Sequence, residues 1–114
     1  IYMRLRSDIW VSAYLRRCSA HNIFAALRKR GAAEAGAIFV KVDLLNGTSL
    51  VFGPAPQSEL GDDGIGRRWQ KVHKDDVMAN IDAEDRLRRE MSFDPDLWIV
   101  EIESASGEHN LDGV

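Results

Sequence analysis

The chain has 114 residues, of which 45% are hydrophobic and 29% charged, with a formal net charge of −3. That length supports one hydrophobic core, because two would each be marginal without a staple. The composition excludes a disordered chain, the lone Cys18 excludes an intrachain disulfide or a cysteine-cluster metal site, and no apolar stretch approaches the roughly 20 residues that span a bilayer.

A chain with one thiol and no apolar leader is expected in a reducing, cytoplasmic setting. Ile1-Tyr2 precede Met3, which is the expected native start. Charge is unevenly spread. Residues 1–57 carry eight Lys/Arg against three acids, and residues 58–114 carry seven against fifteen, leaving +5 and −8. Such a split either marks a basic docking face or lets the two halves attract across the fold, and the second is the commoner outcome.

Ser7 and Asp8 look like a helix N-cap and a first-turn acid, and Val11, Tyr14, Leu15 and Cys18 follow at helical spacing. The spacing predicts a helix over 8–20, with Arg16 and Arg17 in its last turn. Residues 22–30 suit either a continued helix, through Ala25-Ala26-Leu27, or a strand with Ile23, Ala25 and Leu27 on one face; the strand is favoured, joined as a hairpin through Gly31–Gly36 to a clear strand at 37–43. Asn46-Gly47 is a hairpin signal, and Ser49–Phe52 returns as the partner strand. Gly53-Pro54-Ala55-Pro56 stops that strand, because proline has no N–H for the ladder.

Residues 57–66, with Gly61-Asp62-Asp63-Gly64, read as an exposed loop, and 69–73 as a further short strand. Asp82 is expected to cap a helix over 82–92, which Asp94-Pro95 ends. Leu97–Glu103 closes the pattern as a strand, and 104–114 reads as a flexible C-terminal tail after a single 1–103 domain. The expected order is α-β-β-β-(β)-α-β: an α+β fold with a mostly antiparallel sheet of four to five strands and two helices on one face.

The blocks Arg4-Leu5-Arg6-Ser7-Asp8-Ile9-Trp10-Val11, Ala13-Tyr14-Leu15-Arg16-Arg17, Ala35-Gly36-Ala37-Ile38-Phe39-Val40-Lys41, Phe52-Gly53-Pro54-Ala55-Pro56-Gln57 and Asp96-Leu97-Trp98-Ile99-Val100-Glu101 are similar to one family. It is a small alphaproteobacterial family of about this length, catalogued as a domain of unknown function. The resemblance reaches nearly the whole chain up to residue 103. It implies a bacterial, cytoplasmic protein and supplies no activity, cofactor or catalytic residue.

The chemistry-bearing residues leave three readings open. Trp10, Arg6, Arg16 and Arg17 on the first helix, with the Pro54, Pro56 and Gln57 ledge, would suit a non-catalytic protein-interaction module, homodimeric or with another protein. In that reading Trp10 sits beside Ile9 on the flank opposite Tyr14. Arg28, Lys29, Arg30, Arg67, Arg68 and Trp69 are candidate nucleic-acid contacts, although the acidic pI of about 5.6 argues against a dedicated nucleic-acid domain. Asp62, Asp63, His73, Asp75 and Asp76 are the densest ligand-type cluster and could hold a hard divalent cation in a metal-dependent enzyme. Surface acids are usually just solvated, and the spacing matches no known loop. Cys18 falls where a helix buries it, so it reads as packing; His21 reads as a helix-end residue and His109 as part of the tail. No cofactor and no membrane contact is expected.

Overall fold

The computed structural model describes residues 5–56, 67–112 and Val114. Its first element, α1 (Ser7–Ala20), buries Ser7, Val11, Tyr14 and Cys18 along one stripe, as the spacing requires. Ser7 is inside the helix and does not cap it. Its Oγ instead donates to the Gly36 carbonyl at 2.6 Å, while the free Ser7 and Asp8 N–H groups donate to the Glu34 and Ala33 carbonyls at 3.2 and 3.0 Å. Backbone from the 31–36 loop thus replaces a side-chain cap. At the other end Asn22 takes a left-handed φ of 59° and the Ile23 N–H donates to the Cys18 carbonyl at 2.8 Å, which closes the helix.

The strands are β1 (Phe24–Lys29), β2 (Ile38–Asp43), β3 (Thr48–Pro54), β4 (Trp69–Lys71), β5 (Met78–Ala79) and, after α2 (Asn80–Phe93), β6 (Trp98–Glu103). They form one six-stranded sheet in the order β1-β6-β2-β3-β4, with β5 paired to β3. The sheet therefore exceeds the expected four to five strands by short additions at its margin. Its pairs are antiparallel except β2 and β6, which run parallel from Ile38↔Trp98 to Asp43↔Glu103.

The expected hairpin between β1 and β2 does not form, because β6 lies between them. The 31–36 loop crosses the start of β6 so closely that a Cβ at Gly31 would collide with the Asp96 carbonyl. Ala32 N–H donates to Asp96 O at 2.8 Å and Trp98 Nε1 to Ala32 O at 2.8 Å, pinning the crossing.

The helices lie on opposite faces of the sheet, not on one. Val11, Tyr14 and Cys18 of α1 cluster with Ile38, Val40, Val42, Phe52, Trp98, Val100 and Ile102. Ala83 and Leu87 of α2 cluster with Phe39, Val51, Leu97 and Ile99. The reason is in the strands: β2 and β6 are apolar on both faces, and a single helical layer would leave Phe39 and Ile99 in water. α2 begins two residues before Asp82. Its first turn is held by Asn80, whose N–H donates to Gly47 O at 3.0 Å and whose Oδ1 accepts from the Ser49 hydroxyl.

The β2–β3 hairpin forms where Asn46-Gly47 predicts, but the left-handed residues are Leu45 and Gly47, with φ of 63° and 89°. Asn46 contributes its side chain, whose Oδ1 accepts from Thr48 N–H at 3.0 Å. The segment after β6, expected to hang loose, runs back against α1 over 104–112. Leu111 is 8% exposed within the α1-side core, because that face still has apolar surface to cover. Among the described residues no helix is long and apolar enough to cross a membrane.

Leu87 is fully buried where α2 meets Ile99, so a Leu87→Ala chain should lose about 2–5 kcal/mol of stability in denaturant unfolding. A loss well under 1 kcal/mol would mean that α2 is not seated on that face.

Candidate functional site

The first helix carries most of the interaction candidates, and the structure joins them to the ledge at the end of β3, which runs on through Gly53 and Pro54 and does not stop before them. Trp10 is not opposite Tyr14: the two rings stack at 4.9 Å with 17° between planes, as residues four apart on a helix can. Trp10 also meets Trp69 at 5.1 Å, and Trp69 stands across the ladder from Pro54. Half-buried Trp10 therefore links α1 to the β3–β4 end. Around it, Leu5 and Ile9 are 55% and 49% exposed, and Arg6, Arg16, Pro54 and Pro56 are also exposed. Arg6 pairs with Asp8 at 3.1 Å, which holds the Asp8 carboxyl below its usual range. Arg17 lies over the Tyr14 ring and pairs with Asp112 at 3.6 Å. Gln57 falls outside the described residues.

The six nucleic-acid candidates are placed differently. Arg28 makes a two-pronged bond to Glu84, with 2.7 and 2.8 Å contacts, and reaches Glu101 at 3.1 Å. Lys29 Nζ donates to the Pro95 and Leu97 carbonyls at 2.6 and 3.1 Å, and Arg30 lies over the Trp98 ring. Arg67 donates to Leu5 O and Ser7 Oγ, and Trp69 is 5% exposed, so its ring faces are taken up in the core. Arg68 is exposed, and its carbonyl accepts from Ala55 N–H at 3.0 Å.

Of the metal-ligand cluster, Asp62 and Asp63 lie outside the described residues. His73 is occupied at both nitrogens: Nε2 accepts from Val51 N–H at 3.2 Å and Nδ1 donates to Asp75 O at 2.8 Å. With both nitrogens bonded to backbone, the ring braces β3 and keeps no lone pair for a cation. Asp75 and Asp76 are exposed, and no group of three His, Cys, Asp or Glu suited to a metal occurs among the described residues. Cys18 is buried and its thiol is pushed up by that burial, which suits packing. His21 sits at the α1 terminus with Nδ1 donating to Arg17 O at 2.8 Å.

One group of side chains went unseen in the sequence. Lys41, 6% exposed at its side chain, projects from β2 toward α2 and meets Glu84 at 2.7 Å and Glu101 at 3.8 Å. With Arg28 it makes a four-charge network joining β1, β2, β6 and α2. The uneven charge along the chain was its signal, since both cations come from the first half and both acids from the second. Arg28 first, then Lys41, holds the Glu84 carboxyl down to about 2, against desolvation. Every member is satisfied by another, so the network ties elements together and offers no free nucleophile, acid or base.

A single sheet covered by one helix on each face defines a small α+β domain. The chain belongs to the family described as a protein of unknown function, DUF1491, whose model matches residues 5–112. A DUF1491 family protein from Caulobacter crescentus CB15 is 35% identical in its crystal structure, covering 97% of this chain and 96% of that one, with a TM-score of 0.79. An NMR structure from the same organism gives 37% identity, the same coverage and a TM-score of 0.79. The solution structure of protein Atu0922 from A. tumefaciens is 42% identical over 90% of this chain and 87% of that one, with a TM-score of 0.74. No curated protein matches the chain.

Because the folded Glu84 carboxyl lies far below its usual 4.5, its stabilisation is present above that value and disappears as pH falls toward about 2. Denaturant midpoints measured from pH 7 down to 2 should therefore fall steeply for the native chain. A Glu84→Gln chain should start lower at pH 7 and fall less over the acid range, and parallel profiles would contradict the pairing.

Proposed function

We propose that the chain is a non-catalytic interaction module that pairs with a protein surface, in the first place a second copy of itself, through the outer flank of α1 and the Pro54–Pro56 ledge. The observation that carries this reading is the Trp10–Trp69 contact, which ties the α1 flank that bears exposed Ile9 and half-buried Trp10 to the strand paired with exposed Pro54. Arg6 and Arg16 rim it. Aromatic anchors with arginine at the edge are the composition that interfaces favour. The buried, reduced Cys18 and the bacterial sources of the relatives fit a cytoplasmic setting.

Less supports the nucleic-acid reading. Arg28, Lys29 and Arg30 are engaged within the chain, and Trp69 has no free face to stack on a base. The metal-enzyme reading loses its histidine to the β3 backbone.

Light scattering at high protein concentration tests the pairing. The native chain should give the mass of a dimer, and an Ile9→Asp, Arg16→Glu chain should give a monomer with an unchanged melting temperature, since both positions are exposed. A native chain that stays strictly monomeric would overturn the self-pairing.

A further inference from the structure

We propose that residues 104–112 form a latch across the seam between α1 and β3, held shut by an uncharged His109 and opened by mild acid. This latch stands independently of any docking on the outer flank of α1.

After β6, Ser104 N–H donates to Asp43 O at 2.9 Å, and Gly107, at a φ of 85°, turns the chain back. His109 then presents its carbonyl to the Tyr14 hydroxyl at 2.5 Å and its ring edge to Phe52 at 4.8 Å. Asn110 O accepts from Arg17 Nη2 at 2.8 Å, and Leu111 enters the core at 8% exposure. The latch covers Tyr14 and Phe52, which are 1% and 3% exposed beneath it.

One bond makes this arrangement sensitive to protons. His109 Nδ1 accepts from the Leu111 N–H at 3.0 Å, which only an unprotonated nitrogen can do. Protonation turns that acceptor into a second donor facing the first. Burial already disfavours the charged ring, placing its pKa below the usual 6.5. The surroundings give the imidazolium little help. From α1, Arg17 adds a cation at the next residue of the latch, Asn110, while Tyr14 and Cys18 stay neutral because burial raises both. From β4, Lys71 stands opposite Phe52 on the same face. The latch's own acids, Glu108 and Asp112, are exposed, and no described carboxylate pairs with the ring. Two donors in the seam, Arg17 Nε and Asn110 Nδ2, are already buried without a partner and would regain water on opening.

The sign follows from linkage. A folded-state pKa below the unfolded one means that the closed latch is stable at neutral pH and weakens as pH falls through the imidazole range.

Amide hydrogen exchange by NMR reads the latch directly at Leu111, with ring titration of His109 in the same samples. After correction for intrinsic rates, Leu111 protection should fall about tenfold or more between about pH 7.5 and 5, with the midpoint of the His109 ring, while Val40 and Val100 hold theirs. A His109→Asn chain keeps an acceptor that does not titrate, and its Leu111 protection should not change between the two pH values. Unchanged Leu111 protection in the native chain would overturn the latch, as would a midpoint apart from that of His109. So would a His109→Asn chain that loosens in acid as the native one does.

Discussion

The parallel pairing of β6 with β2 is the constraint on which the other elements depend. The last strand in the chain is placed beside the second, and β1 is displaced to the sheet edge as its outer neighbour. From Leu97 to Val100 every residue of the segment is buried, so each face of the strand requires its own cover. α1 supplies one cover and α2 the other, and the loop glycines Gly31 and Gly36 let the chain pass close enough to close the arrangement. An interior strand of this kind cannot satisfy its backbone anywhere else, because both edges are hydrogen-bonded and both faces are dry.

Within that apolar frame, the α2 side carries one polar row. Lys41 sits next to Glu101 across the β2–β6 pair, and Glu84 descends from α2 to meet both Lys41 and Arg28. A nearly buried ammonium is tolerable only where carboxylates are held within bonding distance, and here they come from two other elements. The row thereby specifies where α2 sits along the sheet, a job that Ala83 and Leu87 alone do with less directionality. The basic first half and acidic second half of the chain are the sequence image of this contact, together with the smaller Arg17–Asp112 pair.

Much of this architecture was legible in the residues. The α1 stripe, the strands and the Asn46-Gly47 hairpin follow from spacing and turn chemistry, which are local. What escaped was long-range. Nothing local in 22–30 says that its partner is 98–103 instead of 37–43, and the two-faced burial of β2 was masked because Lys41 reads as a solvent residue. The tail misled for a similar reason: Leu111 is one apolar residue among polar neighbours, and the core cluster it joins is built from residues far away in the chain. Trp10 shows the limit at the surface: it reads as lying opposite Tyr14, whereas the two rings stack and Trp69 arrives from β4 to meet it. The candidate nucleic-acid cations were visible as charges, while their carboxylate and carbonyl partners were not.

The placement of β6 at the centre is tested most directly by native-state hydrogen exchange across the sheet. Amides of Val40, Val42, Ile99 and Val100 should exchange only through global unfolding, with free energies equal to that from denaturant titration, and the short β4 and the outer edge of β1 should open at lower cost. Amides of β6 that exchange as readily as those of β4 would contradict the account, because they would place the last strand at an edge.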